Sequence, residues 1–422
     1  MPFVEKLIIN GGRRLTGDVQ VAGGKNTSLP ILSAALLCDE PVCVDNIPDI
    51  EDVHTLLELL RGLGALAQVS GHSVMIDPTR LHTTQPSSDL CKKMRGSYYL
   101  LGALLGKAGQ GSIPYPGGCD LGARPIDQHL KGFRALGVEI DDRFGWVDAK
   151  AASLNGSEIF FDLVTVGGTI NVMLAAARAK GSTVIYNAAK EPHVVDTANF
   201  LNSMGARVRG AGTDVIRIRG VDRLHASTYT VIPDQIETGT LMIAAAATQG
   251  DVAIHGCIPA HMESLTAKLL EIGVRVDEAD DVIRIRSAGG HRAVNIKTLA
   301  YPGFPTDLQS PMSALLTTAV GTSIITETIF DKRFRHLHEM VRMGARARIS
   351  DWTSVIEGMP HLTGAPVTAS DLRAGAALVI AGLMAGGNTE ISNPQHIDRG
   401  YEKLETRLRS LGADIQRVAA DS

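Results

Sequence analysis

LNSMGARVRG, residues 201–210, decides the fold. Its apolar positions have helical spacing up to Met204, Gly205 follows, and Arg207–Arg209 then alternates as a strand does. A glycine just past the last helical turn takes the left-handed conformation at no steric cost, which ends a helix. Helix, stop and strand are thus written into a single short phrase.

The phrase occurs six times. It reads LLRGLGALAQV from Leu59, FRALGVEI from Phe133, LNSMGARVRG from Leu201, LLEIGVRV from Leu269, MVRMGARARI from Met340 and LRSLGADIQRV from Leu408. The aligned glycines are Gly64, Gly137, Gly205, Gly273, Gly344 and Gly412, at intervals of 73, 68, 68, 71 and 68 residues. Repeats of about 70 residues therefore fill nearly the whole chain. A second phrase lies between the glycines: an alanine- and leucine-rich helix, a glycine turn and a strand, as in LAAARAKGSTVIYN from Leu174 and LMIAAAATQGDVAIHG from Leu241. Those helices carry almost no polar surface and should be buried, with the amphipathic ones outside them. Each repeat reads strand, buried helix, strand, outer helix, strand, strand. Six repeats suggest two α/β domains of three, with the active site in the cleft between them, because pockets favour domain interfaces. A single open solenoid is the alternative, although no capping repeat is evident at either end.

The 422 residues are 44% apolar, 20% charged and 4% aromatic, with a net charge of −4, as expected of a soluble globular protein without an electrostatic footprint for nucleic acid. MPFVEKLIIN does not read as a signal peptide, and the weakly polar run at 374–387 is too short to span a membrane, so a cytoplasmic location is expected. The five cysteines, at 38, 43, 91, 119 and 257, show neither a disulfide framework nor zinc-ligand spacing.

Chemistry concentrates in a few loops. Gly23-Gly24-Lys25-Asn26 follows a short strand and opens an apolar helix, where bare backbone and the helix start favour an anion; a solvated lysine in a turn is the alternative. Lys92, Lys93 and Arg95 form either an anion contact or a basic helix start. PYPGGCDLGARPIDQH, residues 114–129, presents the Cys119 thiol on a loop with Arg124 and His129 nearby, cations that would lower its pKa; an ordinary connector is the alternative. Thr165, Val166 and Gly167 lie in a turn that serves a ligand or merely caps a helix. YPGFPTD, residues 301–307, builds a rigid turn ending in Asp307, a general base, a hydroxyl-binding group or a helix cap. Arg333, Arg373 and Arg399 are surface or ion-paired residues, or they join Lys25, Arg95 and Arg124 in one cationic cluster suited to a phosphorylated carboxylate.

Taken in order, GGKN, KMRGS, PGGCDLGARPIDQH, EPHVVDTANFL, PDQIETGT, FPTD, DLRA and HIDRGYE resemble the motifs of the UDP-N-acetylglucosamine (UDP-GlcNAc) enolpyruvyl transferases, from about Leu7 to Val418. Their sister enzyme, 5-enolpyruvylshikimate-3-phosphate (EPSP) synthase, shares the six-repeat fold but not the PGGC loop or HIDRGYE. The resemblance implies two inverse α/β barrel domains, each of three βαβαββ repeats, at 22–231 and at 1–21 plus 232–422. It implies transfer of the enolpyruvyl group of phosphoenolpyruvate to the 3′-hydroxyl of UDP-GlcNAc with release of phosphate, through a tetrahedral intermediate and without metal or cofactor. This is the first committed step of peptidoglycan synthesis.

By the same resemblance Asp307 takes the 3′-hydroxyl proton. Lys25, Arg95, Arg124, Arg373 and Arg399 contact the phosphate and carboxylate of phosphoenolpyruvate. Cys119 is the thiol of a mobile loop, alkylated by fosfomycin. The nucleotide sugar meets Asn26, Arg95, Arg124, Pro125, Asp127, Thr165, Val166, Gly167, Asp307 and Ile329. Departures from the family's usual pattern are small: Thr27-Ser28 after GGKN, Gly96 in KMRGS, TVGGT at 165–169 and a more basic DKRFRHLHEM at 331–340. A catalytically silent paralogue that binds UDP-GlcNAc is one alternative, and a transferase with another acceptor is a second. Against the silent paralogue, no charged group the chemistry needs is missing.

Overall fold

The structure, a computed structural model, describes residues 5–115, 117 and 125–419. These fall into two compact bodies, one of residues 23–115, 117 and 125–232 and one of residues 5–22 and 233–419, and each has its own apolar core.

The third repeat shows the plan. Strand Glu158–Phe160 leads into the buried helix Val166–Ala176, strand Ser182–Tyr186, the outer helix Pro192–Ser203, and the hairpin Arg207–Arg209 with Val215–Arg219. Ser182–Tyr186 pairs parallel to the leading strand and antiparallel to Val215–Arg219. The α/β architecture read from the repeats is observed, and the six phrase glycines behave alike. Their φ values run from +87° to +105°. In each, the glycine N–H donates to the carbonyl three residues back and the next N–H to the carbonyl five back, at 2.9–3.1 Å, the Schellman pattern.

Two features depart from a plain sixfold repeat. The second repeat has a three-stranded sheet of Gln110–Pro114, Trp146–Lys150 and Glu139–Arg143, with no leading strand among the described residues. Residues 82–87, polar and holding Pro86, supply one bond there, from Ser112 N–H to the Thr84 carbonyl. Strands are also exchanged along the chain. Thr16–Gln20, just ahead of the first buried helix, pairs with Asp251–His255 of the fourth repeat, while Thr228–Thr230, just ahead of the fourth, pairs with Val42–Asp45 of the first. Glu5–Asn10 completes the sixth sheet between Asn388–Ser392 and Asp414–Ala419. Alternation alone marks a strand, and its partner is set by tertiary contacts.

Small residues let the buried helices pack closely. Tyr99–Ala108 packs on both Lys25–Ala34 and Val166–Ala176, and Gln235–Ala247, Gln309–Leu316 and Leu372–Met384 pack on one another. A Cβ at Gly102 would lie 2.3 Å from the Asn171 carbonyl oxygen, so no other residue fits that crossing unless the backbone shifts. Among the described residues no helix is long and apolar enough to cross a membrane.

Candidate active site

In the body of residues 23–232, Lys25 is the first residue of helix Lys25–Ala34 and is buried, not solvated in a turn. Its Nζ lies 2.8 Å from Oδ2 of Asp52, in the first turn of the outer helix Glu51–Leu63, and both side chains are nearly sealed from solvent. Gly23 is needed because a Cβ there would sit 1.6 Å from the Asn46 carbonyl oxygen. Ser28, one of the departures, donates from Oγ to the Gly24 carbonyl at 2.8 Å and so fixes this helix start. Asn26, beside Lys25, is half-buried.

Of the basic trio, Lys92 and Lys93 are exposed, whereas Arg95 is half-buried in the turn Arg95–Tyr98 and burial pushes its guanidinium pKa down. Cys119 and Arg124 lie outside the described residues. Pro125 is exposed; so is Asp127, which opens helix Asp127–Ala135. His129, two residues on, is buried, and burial first and the Arg95 charge second bring its pKa down to about 3. Thr165 does cap helix Val166–Ala176, accepting from Gly168 N–H at 3.3 Å. Its role as a cap leaves the N–H groups of Val166 and Gly167 without partners among the described residues.

In the other body Asp307 is no helix cap, since its two oxygens meet two arginines. Arg333 Nη2 donates to Oδ1 at 2.7 Å and Arg373 Nη2 to Oδ2 at 2.9 Å. Both arginine side chains are 4% exposed. Burial opposes ionisation of Asp307, but the two guanidinium charges outweigh it and hold the carboxyl well below the usual carboxylate range. Asp371 caps helix Leu372–Met384 and fixes Arg373 in its first turn. Arg373 also lies over the Tyr401 ring at 5.2 Å, and Arg333 over Phe330 at 5.0 Å, so both guanidinium groups are braced. Ile329 is 41% exposed on a loop that buried Glu327 ties down, accepting from the Ile329 N–H at 2.8 Å. Arg399 is half-buried, directly after the short helix Gln395–Asp398.

A model of the EPSP synthase (3-phosphoshikimate 1-carboxyvinyltransferase) family matches residues 9–408. The UDP-N-acetylglucosamine 1-carboxyvinyltransferase 3 of Caldanaerobacter subterraneus subsp. tengcongensis is 55% identical over 98% of this chain and 100% of its own. The chain belongs to the UDP-N-acetylglucosamine 1-carboxyvinyltransferase branch of the EPSP synthase family. A second member of this carboxyvinyltransferase branch, from Clostridium botulinum, is 53% identical over 98% of this chain and 100% of its own. Among solved structures, the enolpyruvyl transferase NikO of Streptomyces tendae superposes with a TM-score of 0.88 at 28% identity, covering 100% of both chains. The EPSP synthase of Acinetobacter baumannii shares the fold, with a TM-score of 0.75 at 18% identity over 98% of this chain and 100% of its own.

Three partners of the candidate residues escaped sequence reading. Asp52 is one of several acids at a helix start, and nothing local marks it as the partner of Lys25. Glu327 has no motif; its carboxylate collects Thr298, Thr328 and Ile329 from a loop. Asn171 looks like one polar residue in an apolar helix, yet it is fully buried against His129. A lone amide among alanines and leucines was the available signal.

Proposed function

We propose that this protein transfers the enolpyruvyl group of phosphoenolpyruvate to the 3′-hydroxyl of UDP-GlcNAc and releases phosphate, the step that commits the nucleotide sugar to peptidoglycan. The observation that carries this reading is identity above half over essentially the full length of relatives bearing that activity's name. The buried charge clusters support it, since a reaction between anions needs cations fixed in advance in a dry site. We place the reaction in the cytoplasm.

The sugar oxygen bonds to C2 of phosphoenolpyruvate as C3 gains a proton, giving a tetrahedral intermediate. The bond from C2 to the phosphate oxygen then breaks and C3 loses a proton. Lys25, Arg95, Arg124, Arg373 and Arg399 take the phosphate and carboxylate charges, and Cys119 acts from its loop. The nucleotide sugar is held by Asn26, Arg95, Arg124, Pro125, Asp127, the turn of Thr165, Val166 and Gly167, Asp307 and Ile329. Held by two arginines, Asp307 is a strong hydrogen-bond acceptor but a weak base. It takes the hydroxyl proton only once an arginine turns to the substrate anion. No metal or cofactor enters the scheme.

The test is phosphate release from phosphoenolpyruvate with and without UDP-GlcNAc, repeated after fosfomycin. Release that requires the sugar and is abolished by fosfomycin is expected. Sugar-dependent release that is indifferent to fosfomycin would remove Cys119 from the site. Binding of UDP-GlcNAc without any release would indicate a silent paralogue.

A further inference from the structure

Strands Val215–Arg219 and Val282–Arg286 have the same sequence, VIRIR, and stand second from the edge of their sheets in the third and fourth repeats. In the fourth repeat the arginines of the outer face are matched by acids. Arg284 meets Asp251 at 2.7 Å, Arg286 meets Asp277 at 2.7 Å, and Arg275 meets Asp277 at 3.2 Å. In the third repeat both acids are gone. The register puts Ser182 where the fourth repeat has Asp251, and Arg209 where it has Asp277.

Arg207 therefore faces Arg219, and Arg209 faces Arg217, directly across the ladder. All four residues are exposed, and none of their side chains has a hydrogen bond or an ion pair among the described residues. Like charges set opposite one another destabilise a sheet, so the fold gains nothing from this grid. Beside it lies an apolar row of Val215, Tyr186 and Phe160, the last 62% exposed. Glu158 stands on the far strand, with Val184 between it and Arg217, and the Tyr186 hydroxyl donates to it at 3.4 Å. The sheet edge beside the arginines is closed, because the Asn202 side chain takes both the N–H and the C=O of Val208. A partner is therefore met by the face and not by an added strand.

Three features select that partner. A sheet face is flat, whereas small ligands occupy concave sites. The arginines alternate along their strands with a repeat of about 6.6 Å, which is also the repeat of side chains on one face of any extended chain. The grid is small, and a protein of net charge −4 repels a long polyanion or an anionic membrane beyond it. We propose that this face docks a short acidic segment of a partner protein in extended conformation, with acids at alternate positions over the arginines and an apolar residue over Tyr186 and Phe160. None of the candidate active-site residues lies on this sheet, so the proposal stands apart from the reaction assigned above.

Fluorescence anisotropy tests it with a labelled peptide, Leu-Thr-Glu-Thr-Glu-Thr-Glu, beside the same peptide with glutamine for each glutamate and a labelled oligouridylate of equal length. The acidic peptide should bind with a dissociation constant below about 1 mM at low salt and lose affinity several-fold at physiological ionic strength. Ser182→Asp combined with Arg209→Asp rebuilds the acids of the fourth repeat. This double variant should keep its fold by circular dichroism and bind the acidic peptide about tenfold more weakly. Arg217→Gln removes one charge and should weaken it about threefold. Should the double variant not fold, Arg217→Gln decides alone. Absence of binding by the acidic peptide, equal binding of its glutamine counterpart, or unchanged affinity in the variants would each overturn the proposal. Tighter binding of the oligouridylate would overturn it too, in favour of a nucleic-acid surface.

Discussion

Lys25 with Asp52, and Asp307 with Arg333 and Arg373, are two solutions to one problem. Each places a charged side chain at the start of a buried helix, where desolvation is severe. Among the described residues Lys25 meets the Asp52 carboxylate at 2.8 Å, and the pair is neutral. Asp307 meets two guanidinium groups at 2.7 and 2.9 Å, so the three groups carry one excess positive charge. They also differ in how they respond to loss. Aspartate and lysine escape burial by exchanging a proton, whereas arginine keeps its charge. The first arrangement can relax if a partner is removed, and the second cannot. An excess positive charge that cannot be discharged is what a site for anionic substrates requires.

The sharpest way to break that contrast is Asp307→Asn. It leaves two guanidinium groups, each with a side chain 4% exposed, without their carboxylate. The expected loss is about 3–5 kcal/mol of stability, with urea unfolding as the measurement. Phosphate release should fall by roughly 10²–10⁴ as well, if the carboxylate takes part in proton transfer. The pH dependence is also fixed in sign. A carboxyl held below its ordinary pKa contributes stability that is fully present above that value and disappears only as pH falls below it. Between pH 5 and 8 the gap between wild type and variant should therefore stay constant. A gap that changes in that window would mean that the arginines do not hold Asp307 as described.

Glu237 sharpens the contrast from the other side, as a buried carboxyl with one arginine instead of two. Its Oε2 accepts from the Ala22 N–H at 2.9 Å, and Oε1 lies 3.3 Å from Arg407 Nε. Burial is the larger influence here and one guanidinium does not cancel it, so the pKa is pushed up to about 7. A raised pKa means that stability is greatest below the ordinary glutamate value and declines as pH rises through about 7. The shift limits that decline to roughly 3 kcal/mol. Wild-type melting temperature should therefore drop between pH 5 and 8 by more than that of Glu237→Gln, which keeps an acceptor for Ala22. Parallel curves for the two proteins would show that Arg407 suffices, and that a second arginine is not what sets Asp307 apart.

Local and non-local information divide cleanly in this chain. The six helix stops could be read because each is the work of one glycine and its neighbours, and all six adopt positive φ. The buried helices could be read because an alanine-rich segment with no polar face has only the interior to go to. The missing strand of the second repeat and the exchange of Thr16–Gln20 with Thr228–Thr230 could not, because pairing is decided between segments far apart in sequence. The same divide runs through the charges. Lys25, Asp307 and Arg373 stand out in motifs, but Asp52 as the partner of Lys25 appears only when two helices meet. Asn171 meets His129 across 42 residues, and no spacing rule connects an amide in one repeat to a ring in another.

The smallest stability effect is expected where the contrast began, at Lys25→Met. The methionine fills the space of the lysine stem and leaves Asp52, 4% exposed, facing an apolar side chain. In the folded variant a buried carboxyl that has lost its lysine binds a proton more readily than in wild type, so the deficit is limited by the cost of that protonation. At neutral pH it should be about 1–3 kcal/mol, below the value for Asp307→Asn. It should shrink steadily as the buffer is acidified, because protonating Asp52 removes the charge that Lys25 had balanced. Asp307→Asn has no such remedy, since its stranded groups are arginines. Urea unfolding of both variants at pH 5 and pH 8 makes the comparison directly. If the two deficits respond to pH in the same way, the lysine–arginine distinction fails as the explanation for how the clusters differ. Catalysis separates from stability here: Lys25→Met should lose phosphate release at both pH values even where its stability is restored, because a protonated Asp52 repairs the fold without replacing the cation.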